Sequence, residues 1–297
     1  MSDFIQQKGI ITGFTNKESW VILSPIEQSI KRKIEAVGVP LKDWDISINY
    51  GIKTGFNDAF IINGAKRDEI LSACKTENER NKTAELIRPI LRGRDIKRYS
   101  YEYADLYLIA TFPSRHYDIE DFPSVKNHLL SFGMERLEQT GKKYNKNGKK
   151  IKARKKTNNK WFETQDSISY WDEFNKPKIV WGNLNLSATY AFAPAGMMIN
   201  APATMIVPYS KYLLYILNSK LADYYIRKLG VTRNGGYFEY KPMFVEQMPV
   251  PYPIDDTLFA KFDDNYLYKY IDEINNIVYT LYNLDKQEMK YIEDQTI

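Results

Sequence analysis

The sequence predicts an α/β fold of the α+β kind: a mixed, mainly antiparallel sheet with helices packed around it and a helical C-terminal tail. Three observations predict it. Short β-branched and aromatic runs bounded by Gly or Pro recur along the chain, at residues 46–50, 59–62, 101–112, 178–181, 190–193 and 203–207. Apolar residues three and four apart mark amphipathic helices near the start and toward the end. Between these regular stretches lies a lysine-rich segment with few apolar residues. At 297 residues, with 43% hydrophobic and 14% aromatic content, the chain can bury a substantial core, and the pattern divides into a main domain over residues 1–254 and a tail over 255–297.

In chain order, Ser24-Pro25-Ile26-Glu27 combines a helix cap, proline at the first helical position and a glutamate three residues after the cap. It predicts a helix over 25–37, with Ile26, Ile30 and Ile34 on one face and Gly38 as its stop. ISINYGIKTGFNDAFII, residues 46–62, reads as strand, turn and strand, with Gly51 and Gly55 at the bends. Short helices are expected over 68–73 and 83–89, the second ending where Pro89 forces its neighbour out of helical angles. A strand over 101–112, a helix over 121–138, and strands at 178–181, 190–193 and 203–207 follow. Ser210 caps one long helix through Leu213, Leu217, Leu221 and Tyr225 to Gly230. The alternate prolines of Met248-Pro249-Val250-Pro251-Tyr252-Pro253 make an extended exit strand. Leu267, Ile271, Ile274, Ile277, Val278 and Leu281 then line one face of a helix, and Asp285 with Glu288 starts a last short one. That stripe is too apolar for an isolated helix, so the tail is expected to dock on protein.

The net charge of +5 is unevenly placed. Residues 142–160 hold ten basic side chains and no acid, while 255–297 hold ten acids and four bases. One internal segment attracts a polyanion and the C-terminal end repels it. The single cysteine, Cys74, cannot close an internal disulfide, and no apolar run approaches a membrane span. MSDFIQQKGI lacks the basic start and apolar stretch of a secretory signal, so a cytoplasmic location is expected.

Candidate contacts follow from chemistry. Lys53, Thr54 and Asn57 place donors on the glycine-containing turn, which reads either as an ordinary hairpin bend or as a loop that contacts a polymer. Leu91-Arg92-Gly93-Arg94-Asp95-Ile96-Lys97-Arg98 packs four bases into eight positions, and Arg233-Asn234-Gly235-Gly236-Tyr237 is a second basic, glycine-rich turn.

Five segments occur in a fixed order: GIKTGFNDAFII, IRPILRGRDIKRY, KPKIVW, YLLYILNSKLADYYI and EQMPVPYP, ahead of the ending IVYTLYNLDKQEMKYIE. This ordered set, spanning roughly residues 19–293, resembles the C-terminal target-recognition region of type IIG restriction-modification enzymes, the TaqI-like specificity domain of the Eco57I-like adenine methyltransferase family. The leucine-Asn-Ser helix and the proline exit are similar in type I specificity subunits. The resemblance implies sequence-specific binding of double-stranded DNA, with chemistry performed by an adenine methyltransferase or nuclease domain or subunit elsewhere. S-adenosylmethionine and magnesium are then expected only in those parts, and no membrane partner is implied.

On that reading, Lys142, Lys143, Lys146, Lys149, Lys150, Lys152, Arg154, Lys155, Lys156 and Lys160 form a mobile loop or hairpin tip that meets phosphates. Lys53, Thr54, Asn57, Arg92, Arg94, Lys97, Arg98, Arg233 and Asn234 are candidates for base or backbone contact, since Arg can pair guanine and Asn adenine in the major groove. Tyr237 is a candidate to pack on a sugar or in a flipped-strand gap. The Asn/Asp-Pro-Pro-Tyr tetrapeptide that holds a target amine in such methyltransferases is missing from the sequence, as is a glycine-rich cofactor loop. The chain is therefore not expected to be an enzyme by itself. The alternatives that stay open are a metal-dependent endonuclease built on Asp95-Ile96-Lys97 with Glu85, an RNA-binding module using the abundant aromatics, and an interaction module acting through the acidic C-terminal helices. His116 and His128 lack the cysteines or clustered acids of a metal site.

Overall fold

The computed structural model describes residues 23–146, 148–252 and 256–296. Asn147 and Pro253, and the side chains of Lys146 and Lys149, lie outside the described residues.

Helix α1 (Pro25–Val37) starts on a capping box: the Ser24 hydroxyl accepts from the Glu27 amide, and the Glu27 carboxylate accepts from the Ser24 amide at 2.8 Å. Its Ile30 and Ile34 are fully buried. Strand β1 (Gly38–Pro40) pairs antiparallel with β14 (Pro249–Pro251), a two-stranded ribbon where a proline-rich edge costs no ladder bonds.

Two four-stranded sheets form the centre. In the first, β10 (Tyr190–Ala193), β8 (Lys178–Trp181), β12 (Thr204–Val207) and β2 (Ser47–Tyr50) lie in that order, all antiparallel. In the second, β11 (Met198–Ile199), β4 (Ile87–Leu91), β5 (Leu106–Ile109) and β3 (Ile61–Asn63) are antiparallel apart from the parallel β11–β4 pair. The inner strands β8 and β12 of the first sheet are buried on both faces, which explains why they read as continuous apolar runs. Ile179, Trp181, Tyr190 and Ile206 enter a core shared with α1 and the C-terminal helices, whereas Val180, Ala191 and Met205 enter a second core shared with Ile87, Leu91 and Leu108 of the other sheet.

Several expected elements are redrawn. Residues 46–62 are not a hairpin: β2 pairs with β12 and β3 with β5, so the segment crosses between sheets through a bridge from Ile52 to Asn200 and the short helix α2 (Asn57–Phe60). Gly51 makes the crossing possible, because a Cβ there would stand 2.6 Å from the Ile199 carbonyl oxygen. The expected helices at 68–73 and 83–89 are α3 (Gly64–Ser72) and α4 (Glu77–Leu86), and the chain is already strand at Ile87. The strand expected over 101–112 narrows to β5. The helix expected over 121–138 splits into α5 (Pro123–Leu130) and α6 (Met134–Leu137), since Gly133 between them has φ of +86°.

The helix expected from Ser210 to Gly230 also breaks, into α7 (Lys211–Leu217) and α8 (Lys220–Leu229). Asn218 is the reason. Its amide donates to the Tyr190 carbonyl at 2.9 Å and its oxygen accepts from the Tyr190 amide at 3.0 Å, satisfying the free edge of β10 in place of another strand. Ser219 then caps α8. In the tail, α9 (Ile271–Leu281) and α10 (Lys286–Gln295) set Ile274, Val278 and Ile292 into the first core beside Leu217 and Leu221. Glu288 of α10 is buried and accepts from Ser29 at 2.7 Å and Lys33 at 2.6 Å, so the tail is bolted to α1. No helix among the described residues is long and apolar enough to cross a membrane.

A pH dependence follows from the cap of α1. Burial pushes the Glu27 carboxyl up, but bonds from Lys228 and Ser24 outweigh it and hold the group at about 2, against an ordinary 4.5. A carboxyl lowered in the folded state contributes stability above its unfolded pKa and loses it as pH falls. Acid titration of unfolding should therefore show about 1–2 kcal/mol lost between about pH 4.5 and 2 that is missing in Glu27→Gln, the discount from the full shift reflecting the exposed Lys228 partner. Parallel acid curves for the two proteins would contradict this.

Candidate nucleic-acid interface

The loops that follow β2, β4, β8 and β11, and the one that precedes β12, all emerge at one end of the two sheets, because Thr204 stands opposite both Tyr50 and Trp181 and β11 runs parallel to β4. Backbone bonds lace them into one rim. The Gly51 amide donates to Ala203 at 2.8 Å, Ile52 to Ile199 at 2.7 Å and Asn200 to Leu91 at 2.8 Å. Gly93 lies against Gly182, and the Asn185 side chain donates back to the Gly182 carbonyl at 2.7 Å. Asn183 accepts from the Thr204 hydroxyl at 2.6 Å. The rim is thus a rigid base on which exposed side chains can be held in fixed directions.

At one end of it stands the loop after β2. Thr54 is buried, and its hydroxyl donates to the Asn57 oxygen at 2.7 Å while accepting from the Phe56 amide. Thr54 therefore positions Asn57 and does not face outward, a correction to its expected contact role. That bond occupies the Asn57 oxygen and leaves the exposed amide nitrogen to donate. Lys53 is exposed, 3.7 Å from Asp166. Lys53, Asn57, Arg136, Gln165 and Asn200 line a depression of about 450 Å³. Arg136 lies over the Phe56 ring at 4.1 Å and donates to the Lys152 carbonyl.

That last bond reaches the lysine-rich segment, which takes the hairpin form of the two expected: β6 (Lys143–Lys146) pairs with β7 (Lys149–Lys152). Its base is anchored. Tyr144 donates to Glu138 at 2.6 Å, the Gly141 amide to Arg154 at 2.8 Å, and the Gln139 amide to the Lys160 carbonyl at 3.0 Å. Lys142, Lys143, Lys150, Lys152, Lys155 and Lys156 are all exposed and none has a carboxylate partner among the described residues. Lys160 lies over the Phe162 ring.

Arg154 departs from this set. It is 2% exposed, and donates to the carbonyls of Leu137 at 2.8 Å, Thr54 at 2.9 Å, Glu163 at 2.7 Å and Trp161. Burial, with Arg136 nearby, pulls it down to about 10. Its four acceptors come from both sides of the junction, so Arg154 clamps the loop after β2 to the base of the hairpin and is unavailable to a phosphate.

The basic octapeptide is similarly divided. Arg92 is committed to Asp95 through Nε at 2.8 Å and Nη2 at 2.6 Å, and its amide donates to the same carboxylate at 2.9 Å. Burial pushes Asp95 up, but these bonds outweigh it and leave the carboxyl below its ordinary range. The pair closes a tight turn over Gly93–Asp95 that leaves the Arg94 side chain exposed and, among the described residues, without a hydrogen-bonded partner. Lys97 donates to the Arg94 carbonyl at 3.1 Å and faces Glu102. Arg98 points the other way, to the Asn218 carbonyl at the α7–α8 break, and so leaves the interface. Arg92 and Arg98 are thus structural, against expectation.

Beyond Gly182 the rim continues as a small ribbon, β9 (Leu184–Asn185) paired with β13 (Phe238–Glu239). Thr232 bridges Phe238, which brings the exposed Arg233-Asn234 turn and Tyr237 to the same end. Arg233 and Lys241 both bind Glu239, and those bonds, Lys241 first, hold its carboxyl below the ordinary range. Apart from Arg98, which turns away, and Arg154, which is buried, the expected contact residues therefore fall along one sequence of neighbours: hairpin, loop after β2, Arg92–Asp95 turn, ribbon. Arg136, Gln165, Asn183 and Asn200 join it without having been singled out, since each is a lone polar residue whose place depends on pairing between distant segments. Among the described residues no group of three or more His, Cys, Asp or Glu could hold a metal ion. Asp95, the key acid of the endonuclease alternative, spends its oxygens on Arg92.

Residues 88–250, more than half of the chain, match the model of the TaqI-like C-terminal specificity domain. No curated protein matches the chain. Among solved structures, the type IIG restriction endonuclease BpuSI aligns at 12% identity with a TM-score of 0.52, over 91% of this chain and 31% of the other. The type IIL restriction-modification enzyme MmeI, solved in complex with DNA, aligns at 11% identity with a TM-score of 0.46, over 86% and 33%. The BpuSI likeness is one of fold. The chain spans about a third of the length of either protein. The matched span of the family model contains the hairpin, the Arg92–Asp95 turn and the ribbon, while the loop after β2 precedes it.

Proposed function

The chain belongs to the family of TaqI-like C-terminal specificity domains, and from that premise we propose that it is the DNA target-recognition part of a type II, IIG-like restriction-modification enzyme. The observation that carries the reading is the convergence of six unpaired, exposed lysines and a rigid glycine-lined rim at one end of the sheets. The lysines give affinity through phosphates, and Arg94, Asn57 and the Arg233 turn give sequence choice through base edges. Methyl transfer and cleavage belong to a methyltransferase or nuclease domain or subunit outside this chain, along with S-adenosylmethionine and magnesium. The carboxylate of Asp95 is taken up by Arg92, which argues against an endonuclease centred on it.

Selection from a random duplex pool should enrich one short sequence, and competition against single strands of the same sequence should favour the duplex. An absence of enrichment, or preference for the single strand, rejects the reading. Within it, Arg94→Ala should cost about 1–3 kcal/mol on the selected duplex and much less on a scrambled one, because its guanidinium has no hydrogen-bonded partner among the described residues. Equal losses on both duplexes would reassign Arg94 to a phosphate.

A further inference from the structure

We propose that the β9–β13 ribbon carries an apolar wedge, Leu184 and Leu186, that enters the base stack of the bound duplex next to the Arg94 turn. The inference rests on the DNA-binding reading above and adds to it a distortion of the DNA. These two side chains are 49% and 46% exposed, and they are the only exposed leucines among the described residues. Every other described leucine is buried or half-buried, so the fold has no general tolerance for exposed leucine. Leu184 lies in β9 and Leu186 at the bend that follows it, while Asn185 between them is pinned to Gly182. The ribbon beneath is held firmly: Arg227 stacks on Phe238 at 3.6 Å, and Glu239, opposite Leu184, is gripped by Arg233 and Lys241.

The surroundings choose the occupant. Gly93 against Gly182 brings the Arg94 turn to the foot of the ribbon, and Arg233 and Lys241 flank its other strand. A leucine pair ringed by cations suits a polyanion with an apolar interior, which is a base stack between two phosphate chains. A stable protein partner would bury roughly 800 Å² of surface per side, far more than two leucine side chains supply. Proteins that insert leucine between base steps unstack and kink the duplex, trading stacking for a larger contact.

The test uses the full chain and the selected duplex, with 2-aminopurine replacing each adenine in and beside the site in turn. Wild type should give a several-fold fluorescence rise at one position. Leu184→Ala/Leu186→Ala should abolish that rise and weaken binding by about 3- to 10-fold, with an unchanged circular dichroism spectrum and melting curve. Leu184→Met/Leu186→Met should retain the rise, because the wedge needs apolar bulk and not leucine itself. Full fluorescence response in the alanine variant overturns the wedge while leaving DNA binding intact, as does tight wild-type binding with no rise at any position. An alanine variant that binds DNA unchanged but loses self-association seen for wild type in sedimentation assigns the leucines to a protein contact and overturns the proposal. Failure of wild type to enrich any duplex is the separate failure of the DNA reading.

Discussion

Replacing Arg154 by methionine is expected to lower the unfolding free energy by about 3–5 kcal/mol, although the residue sits inside the most basic stretch of the chain. A buried guanidinium is costly to desolvate, and here burial has already drawn it down to about 10. What offsets the cost is geometry: the planar fork meets the carbonyls of Leu137, Thr54, Glu163 and Trp161 together, and the group lies 4.9 Å from the centre of the Phe60 ring. Methionine fills similar volume but leaves buried carbonyls unpaired, each worth about 1 kcal/mol. Lysine should rescue little, since one ammonium cannot reach acceptors arranged around a fork. Urea denaturation of Arg154→Met and Arg154→Lys beside Lys155→Met, an exposed control, measures the difference. A loss under about 1 kcal/mol for Arg154→Met would contradict the clamp, because surface arginines cost no more than that.

Arg154 also shows where sequence reading stops. Nothing in KKIKARKKTNNK distinguishes a core arginine from its exposed neighbours, because the acceptors that bury it come from residues 54, 137, 161 and 163. By contrast, α1 was legible down to its cap, since the capping box and the Ile30–Ile34 stripe are local. The strands expected at 178–181, 190–193 and 203–207 were legible too, the first and last because burial on both faces forces unbroken apolar runs. The supposed hairpin at 46–62 failed for the opposite reason. Its partner strand β12 lies about 150 residues away in sequence, and a glycine that looks like a turn is there for close passage beneath the Ile199 carbonyl. Asn218 deceived in the same way: the leucine spacing runs straight through it, and only its bonds to the edge of β10 explain the break. Within the candidate interface the lysines were legible as charge, but Arg92, Arg98 and Arg154 carry the same charge and spend it inside the fold. Arginine count alone therefore overstates the contact surface, whereas lysine on the hairpin represents it fairly.

The largest effect on binding is expected from that hairpin. Changing Lys142, Lys143, Lys150, Lys152, Lys155 and Lys156 together to glutamine should weaken binding to every duplex, selected or scrambled, by on the order of 10³-fold at low salt. It should also reduce the slope of log affinity against log salt by about 0.9 for each phosphate contact removed, close to 5 if all six engage. The reasoning is electrostatic. These side chains are exposed and have no carboxylate partner among the described residues, so no intramolecular pair competes with phosphate and none is lost on substitution. The fold should survive for the same reason, because the anchors of the hairpin are Tyr144, Gln139 and Arg154, which the variant keeps. The ratio of affinities for selected and scrambled duplexes should stay nearly constant, since a lysine on a phosphate carries no base information. Titration at two salt concentrations on both duplexes separates the two quantities. If the six-lysine variant loses discrimination while its salt slope is unchanged, then the hairpin reads bases. The rim at Arg94 and Asn57 would in that case be the part that merely holds the backbone.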